Sequence, residues 1–164
     1  MSSPSAAARR AALASAPACR VVADDTERAA HFAIRRAVFC AEQGLFGGGD
    51  DRDERDDAPA TLHVVGLQGA TIAGTVRLYP LDDAGRWKGD RLAVLPPFRH
   101  TSLGATLVRY AVRSAGERGG AVMVAMIQLP NVRFFQALGW RRDGAVTPFH
   151  GRDHQPMAIA LSGG

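Results

Sequence analysis

Along this chain the spacing of apolar residues changes several times, and each change marks an element. Residues 19–23 (CRVVA) read as a first strand. Asp24 then stands as a helix N-cap, with Glu27 three positions on completing a capping-box pattern. Behind it Ala30, Ile34, Ala37, Val38 and Ala41 recur at helical spacing, which predicts a helix to about Glu42. Arg28, Arg35 and Arg36 fall towards its other side, and Gly44 ends it. Residues 61–67 (TLHVVGL) and 71–78 (TIAGTVRL) are β-rich and joined through Gln68-Gly69-Ala70, a hairpin pattern. Gly74 within the second run signals a bulge or a close backbone approach. After a turn region at 80–88, residues 91–95 (RLAVL) read as a buried strand that Pro96 and Pro97 terminate. Leu103, Leu107, Val108, Ala111 and Val112 predict the next helix. Residues 121–127 (AVMVAMI) predict another strand, Pro130-Asn131 opens a short helix, and residues 155–161 (QPMAIAL) form the last strand. The order β-α-β-β-β-α-β-α-β predicts an α/β (α+β) fold, a mixed sheet with helices on its faces.

Between Gly44 and Pro59 no period survives. GLFGGGDDRDERDDAP reads as a long loop whose acids form a solvated face. A calcium reading fails there, because the alternation of acids breaks at Arg55 and the loop glycine and distal glutamate are missing. A loop of this length suits a lid or a substrate wall. Residues 1–18 are small, rich in Ser and Ala and free of acids, and read as a disordered tail, leaving 19–164 as a single domain. Cys19 and Cys40 give neither a disulfide framework nor a metal spacing, which suits a cytoplasmic protein without a bound metal. No apolar run is long enough to span a membrane. The chain has 20 basic and 16 acidic residues. Residues 50–57 hold six of those acids and two arginines, so the remainder carries 18 basic against 10 acidic residues. A basic body suits a polyanionic partner.

The clearest chemistry lies at residues 90–115. A strand, a proline break, a tight basic turn and a helix start follow one another. Unpaired N–H groups at a helix start carry partial positive charge, so this order makes an anion site. Arg99 at its mouth adds a guanidinium able to grip phosphate with two parallel hydrogen bonds.

With these elements in place, residues 21–161 resemble the GNAT superfamily of acyl-CoA-dependent N-acyltransferases. Arg99-His100-Thr101-Ser102-Leu103-Gly104 occupies the family's Gln/Arg-x-x-Gly-x-Gly/Ala signature, after Leu92-Ala93-Val94-x-Pro96. Asn131 and Phe134-Phe135-Gln136-Ala137-Leu138-Gly139-Trp140 match the second signature. Arg35-Arg36-Ala37-Val38-Phe39-x-x-Glu42-Gln43-Gly44, His63, Gly74-Thr75-Val76-Arg77-Leu78 and His154-Gln155-Pro156-Met157 are similar to a bacterial branch of the family. Residues 127–135 further resemble GNAT proteins associated with nitrilase-containing operons.

The resemblance implies a mostly antiparallel central sheet flanked by helices and acetyl-CoA as acyl donor. Backbone groups of Leu92 and Val94, with Ala93 between them, would pair with the pantetheine arm. Amides from His100 through Thr101, Ser102 and Leu103 to Gly104 and Ala105 would cradle the diphosphate beside Arg99, and Asn131, Phe134 and Phe135 would line the donor groove. Two departures stand out: His100 and Ser102 replace glycines, and Phe135 replaces the tyrosine that protonates the leaving thiolate. Asn131, Glu42, Asp90 and His154 are the candidates for catalysis, Asp90 to orient a water that deprotonates the amine and His154 as a base or substrate contact. The leading expectation is direct acyl transfer to the amine of a small molecule in a ternary complex. The alternative is a catalytically degenerate relative that binds acyl-CoA as a sensor or partner subunit. Nucleic-acid binding has only the charge balance behind it, because aromatic and basic residues are not interleaved. Oligomeric state, a homodimer included, is left open.

Overall fold

The computed structural model describes residues 16–162 and, before them, residues 3, 5–8 and 10. The segment assigned to a tail lies partly outside the described residues, and Pro17 and Ala18 already belong to the first strand. The elements are β1 (Pro17–Val21), α1 (Asp25–Arg35), β2 (Leu62–Gln68), β3 (Thr71–Pro80) and β4 (Arg86–Val94). They continue with α2 (Leu103–Glu117), β5 (Val122–Gln128), α3 (Val132–Ala137), β6 (Arg141–Arg142), β7 (Thr147–Phe149) and β8 (Arg152–Ala160). The sheet runs β1-β2-β3-β4-β5-β8-β6, with β7 also on β8. Only the β4–β5 pair is parallel, so the sheet is mixed and mostly antiparallel, as expected. The short strands β6 and β7 were not foreseen; Gly139 and Gly144, both at positive φ, turn the chain back beside β8 there.

Two apolar layers hold the sheet. On one face Leu103, Leu107, Val108 and Ala111 of α2 pack on Val64, Val76, Leu78 and Met123. On the other, Ile34, Val38 and Phe39 cover Ala93. Gly66 and Gly74 face each other across β2 and β3, and a Cβ on either would strike Leu107 within 3.0 Å. Their lack of side chains lets α2 settle onto the sheet.

The first helix departs from the periodic expectation. Asp24 caps it by accepting from the Glu27 N–H (2.8 Å), but the Glu27 carboxylate reaches back to the Ala23 N–H and to Arg20 instead of closing the box on Asp24. After Arg35 the helix continues as a π-helix, Arg36–Glu42. A looser turn rotates the buried stripe, so Ala37 and Ala41 are exposed while Val38, Phe39 and Cys40 are buried. Arg35, expected on the open side, is fully buried.

The acidic loop differs more. Leu45 leads into a short turn (Phe46–Gly48), and Asp53 caps a second one (Glu54–Asp57) with a complete capping box. Asp50, Glu54 and Asp57 are exposed, as a solvated face requires, but Asp51 and Asp56 are buried at 1% and 3% exposure, so for these two the expectation is corrected to a buried ionic cluster. The reason is the partners: three buried arginines, Arg35, Arg77 and Arg91, converge on this loop.

Candidate active site

Strands β4 and β5 pair only from Arg86 to Lys88 against Val122 to Val124. Beyond that they diverge, and the gap is a cleft of about 140 Å³ that passes through the sheet. Where they part, β4 carries a bulge. Thr75 pairs with Ala93 and Arg77 with Asp90, so Arg91 and Leu92 together oppose Val76. Arg91 sits at φ 53°, a left-handed conformation that costs a non-glycine residue energy. Its carbonyl accepts from the Thr75 hydroxyl (2.9 Å) on the β3 side. In a trans peptide the next N–H points the opposite way, so the Leu92 N–H is turned away from β3, towards the cleft.

The loop clamps this bulge. Arg91 Nε donates to Asp51 Oδ2 and its Nη2 to the Asp51 carbonyl, each at 2.9 Å. Asp51 Oδ2 also accepts from Arg35 Nε (2.7 Å), whose Nη1 and Nη2 grip Asp56. Arg77 holds Asp90 with two bonds of 2.7 Å and Asp53 with bonds of 2.6 and 3.1 Å. Burial opposes the charge on Asp56. Bonds from Arg35 and the Asp53 N–H, with the field of Arg35 and Arg77, outweigh it and hold the carboxyl well below the usual range. Burial likewise opposes the Arg77 charge, and the bonds to Asp90 and Asp53 keep it protonated more firmly than usual.

Beneath the network His31 donates Nδ1–H to the Val64 carbonyl (3.0 Å), leaving Nε2 to accept from Arg35. His63 donates Nε2–H to the Asp56 carbonyl (3.0 Å). Burial first, then the Arg35 and His63 charges, pushes His31 down to about 3, and burial also lowers His63. Both rings are spoken for, which places His63 in the scaffold.

The predicted site residues separate into those at the cleft and those away from it. Asp90, Leu92, Asn131, Phe135 and His154 line it. Asp90 is there as the bidentate partner of Arg77, with the Tyr79 hydroxyl 3.4 Å away. His154 is buried, and its Nδ1–H donates to the Arg152 carbonyl at 2.8 Å. That tautomer leaves Nε2 of the neutral ring with a lone pair. The Phe149 ring packs edge-on against it. Phe46, Gln43, Gln128 and His150 complete the loop-side mouth; burial first, then the charge of Arg91, lowers the His150 pKa. The spacing gave no signal for Gln43, Phe46 and Arg91, because they reach the cleft only through the π-helix, the loop and the bulge.

The turn before α2 forms a second part. Ser102 has φ −79°, and neither it nor His100 is among the left-handed residues, so the absent glycines cost no backbone strain. The Thr101 N–H bonds to the Phe98 carbonyl and the Leu103 N–H to Thr101 Oγ1, both at 3.2 Å. Within the run from His100 to Ala105 the amides of Thr101 and Leu103 are thus taken up inside the turn, which leaves those of His100, Ser102, Gly104 and Ala105 as the candidates for an anion. A Cβ on Gly104 would meet Phe134 at 3.7 Å and Val94 at 3.9 Å, which places Gly104 at the groove between α2, α3 and the end of β4. Ala93 is buried against α1 and contributes backbone only. Arg99 is engaged: its two Nη atoms pair with Glu42 at 2.6 and 2.5 Å, and Nε donates to the Val94 carbonyl at 2.9 Å. Glu42 thus lies at the turn, away from the cleft; its bond from Arg99 lowers its pKa.

The site thus combines a sheet split between β4 and β5, a bulge beside the split and a helix start at its end. The sequence matches the model of the acetyltransferase (GNAT) family over residues 19–140, and the chain belongs to that family, an N-acetyltransferase by membership. No curated protein matches it. Among solved structures it is similar to a Lactobacillus plantarum protein described as an N-acetyltransferase (25% identity, TM-score 0.75, 89% of this chain and 99% of that one). Escherichia coli ElaA shares the fold (20% identity, TM-score 0.75, 87% and 97% covered). So does yncA of Salmonella typhimurium, solved with acetyl-CoA (19% identity, TM-score 0.71, 90% and 95% covered). Among the described residues no helix is long and apolar enough to cross a membrane, and no cluster of metal-ligating side chains occurs.

Proposed function

We propose that the protein transfers an acyl group, acetyl in the simplest case, from a CoA thioester to the amine of a small molecule, with both substrates bound at once. The single observation that carries this reading is the passage through the sheet: a donor on the α2 side and an acceptor on the loop side would meet at the bulge. Catalysis by placement can remove a large part of the barrier for such a bimolecular step.

Each residue has a role by position. The amides of His100, Ser102, Gly104 and Ala105 suit the diphosphate, and Leu92 and Val94 offer backbone groups to the pantetheine arm. The Leu92 N–H, fixed by Thr75 and by the Arg91 clamp, is placed to stabilise oxygen charge that develops on the thioester carbonyl. His154 Nε2 takes a proton from the amine, and the bond to the Arg152 carbonyl sets its tautomer. Asn131, at the start of α3, lines the cleft beside the departing sulfur. Phe135 has no proton to give there, so solvent or Asn131 serves the thiolate. The partner class is a small-molecule amine rather than nucleic acid or membrane, the compartment the cytoplasm, and a homodimer is compatible with it.

Calorimetry with acetyl-CoA and a thiol-release assay over a panel of amines test this. His154→Gln should lower kcat by about 10²–10⁴ with little change in acetyl-CoA affinity. Tight CoA binding without thiol release for any amine would favour the sensor reading, and no CoA binding would sink both.

A further inference from the structure

We infer that the donor site accepts acyl groups longer than acetyl, in the range from butyryl to octanoyl, with the chain lying between α2 and the vertex of the split strands. The inference rests on the donor reading above and extends it to the identity of the acyl group. The cleft does not stop at the bulge. On the α2 side its wall continues through Val76, Val108, Ala111, Met123 and Trp140, none of them charged. These belong to the main apolar core, yet here they border open space.

The direction of this space decides its occupant. Pantetheine would run from the turn before α2 along Val94 and Leu92 to the bulge. Strand pairing resumes only at Lys88, and Gly89 lies between. From Leu92 to Gly89 is three residues of strand, about 10 Å. The wall on α2 moves the same way: Val108 and Ala111 lie one and two turns beyond Leu103 and Gly104, further from the diphosphate turn. A methyl group would fill only the first part of that length.

The ends and flanks of the space differ. The Met123 sulfur lies 3.1 Å from where a Cβ on Gly89 would stand, so it takes the room of the missing side chain and closes the space at the vertex. Ala111 presents one methyl where Leu103 and Leu107 present whole side chains to the sheet. Phe135 removes a hydroxyl from the wall, which suits a hydrocarbon neighbour. Methionine at the closed end adapts its shape to chains of different length. Polar groups at the cleft, Gln43, Gln128, Asp90 and Arg91 among them, are on the loop side, so the two mouths differ in chemistry and the apolar one faces the donor.

Titration of the full-length protein with CoA, acetyl-CoA, butyryl-CoA, hexanoyl-CoA and octanoyl-CoA by calorimetry tests the inference. Burying a methylene is expected to tighten binding up to about fourfold, so hexanoyl-CoA should bind at least tenfold more tightly than acetyl-CoA. Ala111→Leu should fill the space, so that the two thioesters bind alike; if that variant fails to fold, Ala111→Val should narrow the difference. Equal or weaker binding of the longer thioesters by the wild-type protein overturns the acyl pocket and leaves the donor site standing. Failure to bind CoA in any form overturns the donor reading itself.

Discussion

The two faces of the split sheet are held by opposite means. On the loop side Arg35, Arg77 and Arg91 are locked to Asp51, Asp53, Asp56 and Asp90 in a network with almost no exposure at the arginines. On the α2 side the donor turn is held by apolar packing of Phe98 and Leu103 and by one half-exposed ion pair, Arg99–Glu42. Ionic clamping fixes direction, since a guanidinium fork accepts its carboxylates in few orientations. It therefore suits the face where the bulge must keep the Leu92 N–H aimed. Loose, half-exposed contacts suit the face where a large substrate must come and go.

The largest expected effect comes from breaking the clamp. Arg77→Met would leave Asp53, Asp56 and Asp90 without their shared partner in a buried setting. Removing one member of a buried ionic set costs about 3–5 kcal/mol, because the remaining charges stay desolvated. Urea denaturation should show a loss of that size. Arg77→Lys should recover little, since a single ammonium cannot span both Asp90 and Asp53. A loss below 1 kcal/mol would mean the network contributes geometry alone.

The donor turn gives the next effect, with the opposite pattern. Gly104→Glu meets only ordinary contacts at Phe134 and Val94, so the fold should keep its stability. An anion placed at the diphosphate position should weaken acetyl-CoA on the order of a hundredfold. Unchanged affinity in a folded variant would refute the assignment of the turn.

The same contrast explains what could be read from the residues in order. The strand, turn and helix that carry the proposed donor site were legible because their parts are contiguous: Pro96, Arg99, Ser102 and Gly104 lie in one short stretch, and the α2 stripe follows a 3.6-residue period. The mixed sheet was legible for the same reason. The clamp was not. Arg35 looks solvent-facing until Asp51 and Asp56 are found packed over it, on the helix face it shares with the buried Glu27 and His31, and acids spaced like a solvated loop gain their meaning from Arg77 and Arg91, tens of residues away. Helical periodicity has no means of announcing a π turn, and charge counting cannot distinguish a solvated cluster from a neutralised one. Glu42 and Asp90 stood out as candidates for reaction, and the ion pairs that hold them, with Arg99 and Arg77, could not be read from their spacing.

Acid should separate the two faces again. An ordinary histidine titrates near 6.5, and His31 in the fold is pushed down to about 3. The unfolded chain thus binds a proton that the folded chain refuses, so stability falls as pH drops from about 6.5 towards 3, by up to ~1.4 kcal/mol per unit. Lowered His63 acts in the same direction. Asp56, held below its ordinary 3.8, contributes stability above that value that is lost as pH falls through it. Unfolding free energies from urea titrations between pH 7 and 4.5 should decline accordingly, and His31→Gln should reduce the slope to the part that His63 supplies. A flat profile in the wild-type protein would mean the histidines protonate without cost.

The smallest effect, and the sharpest about the donor face, concerns Glu42. Its carboxylate holds both Nη atoms of Arg99, the same fork a diphosphate would need. Both side chains are 39% exposed, so the pair contributes no more than about 1 kcal/mol to stability. Two roles predict opposite signs. If Glu42 only positions Arg99 for the phosphate, Glu42→Gln loosens that arginine and weakens acetyl-CoA. If Glu42 competes for it, the same change tightens binding, by no more than about fivefold. Competition is the expected outcome, because Arg99 Nε stays anchored on the Val94 carbonyl whichever anion the fork holds. The gain should shrink with added salt, and it should vanish in Arg99→Ala, where there is no fork left to compete for.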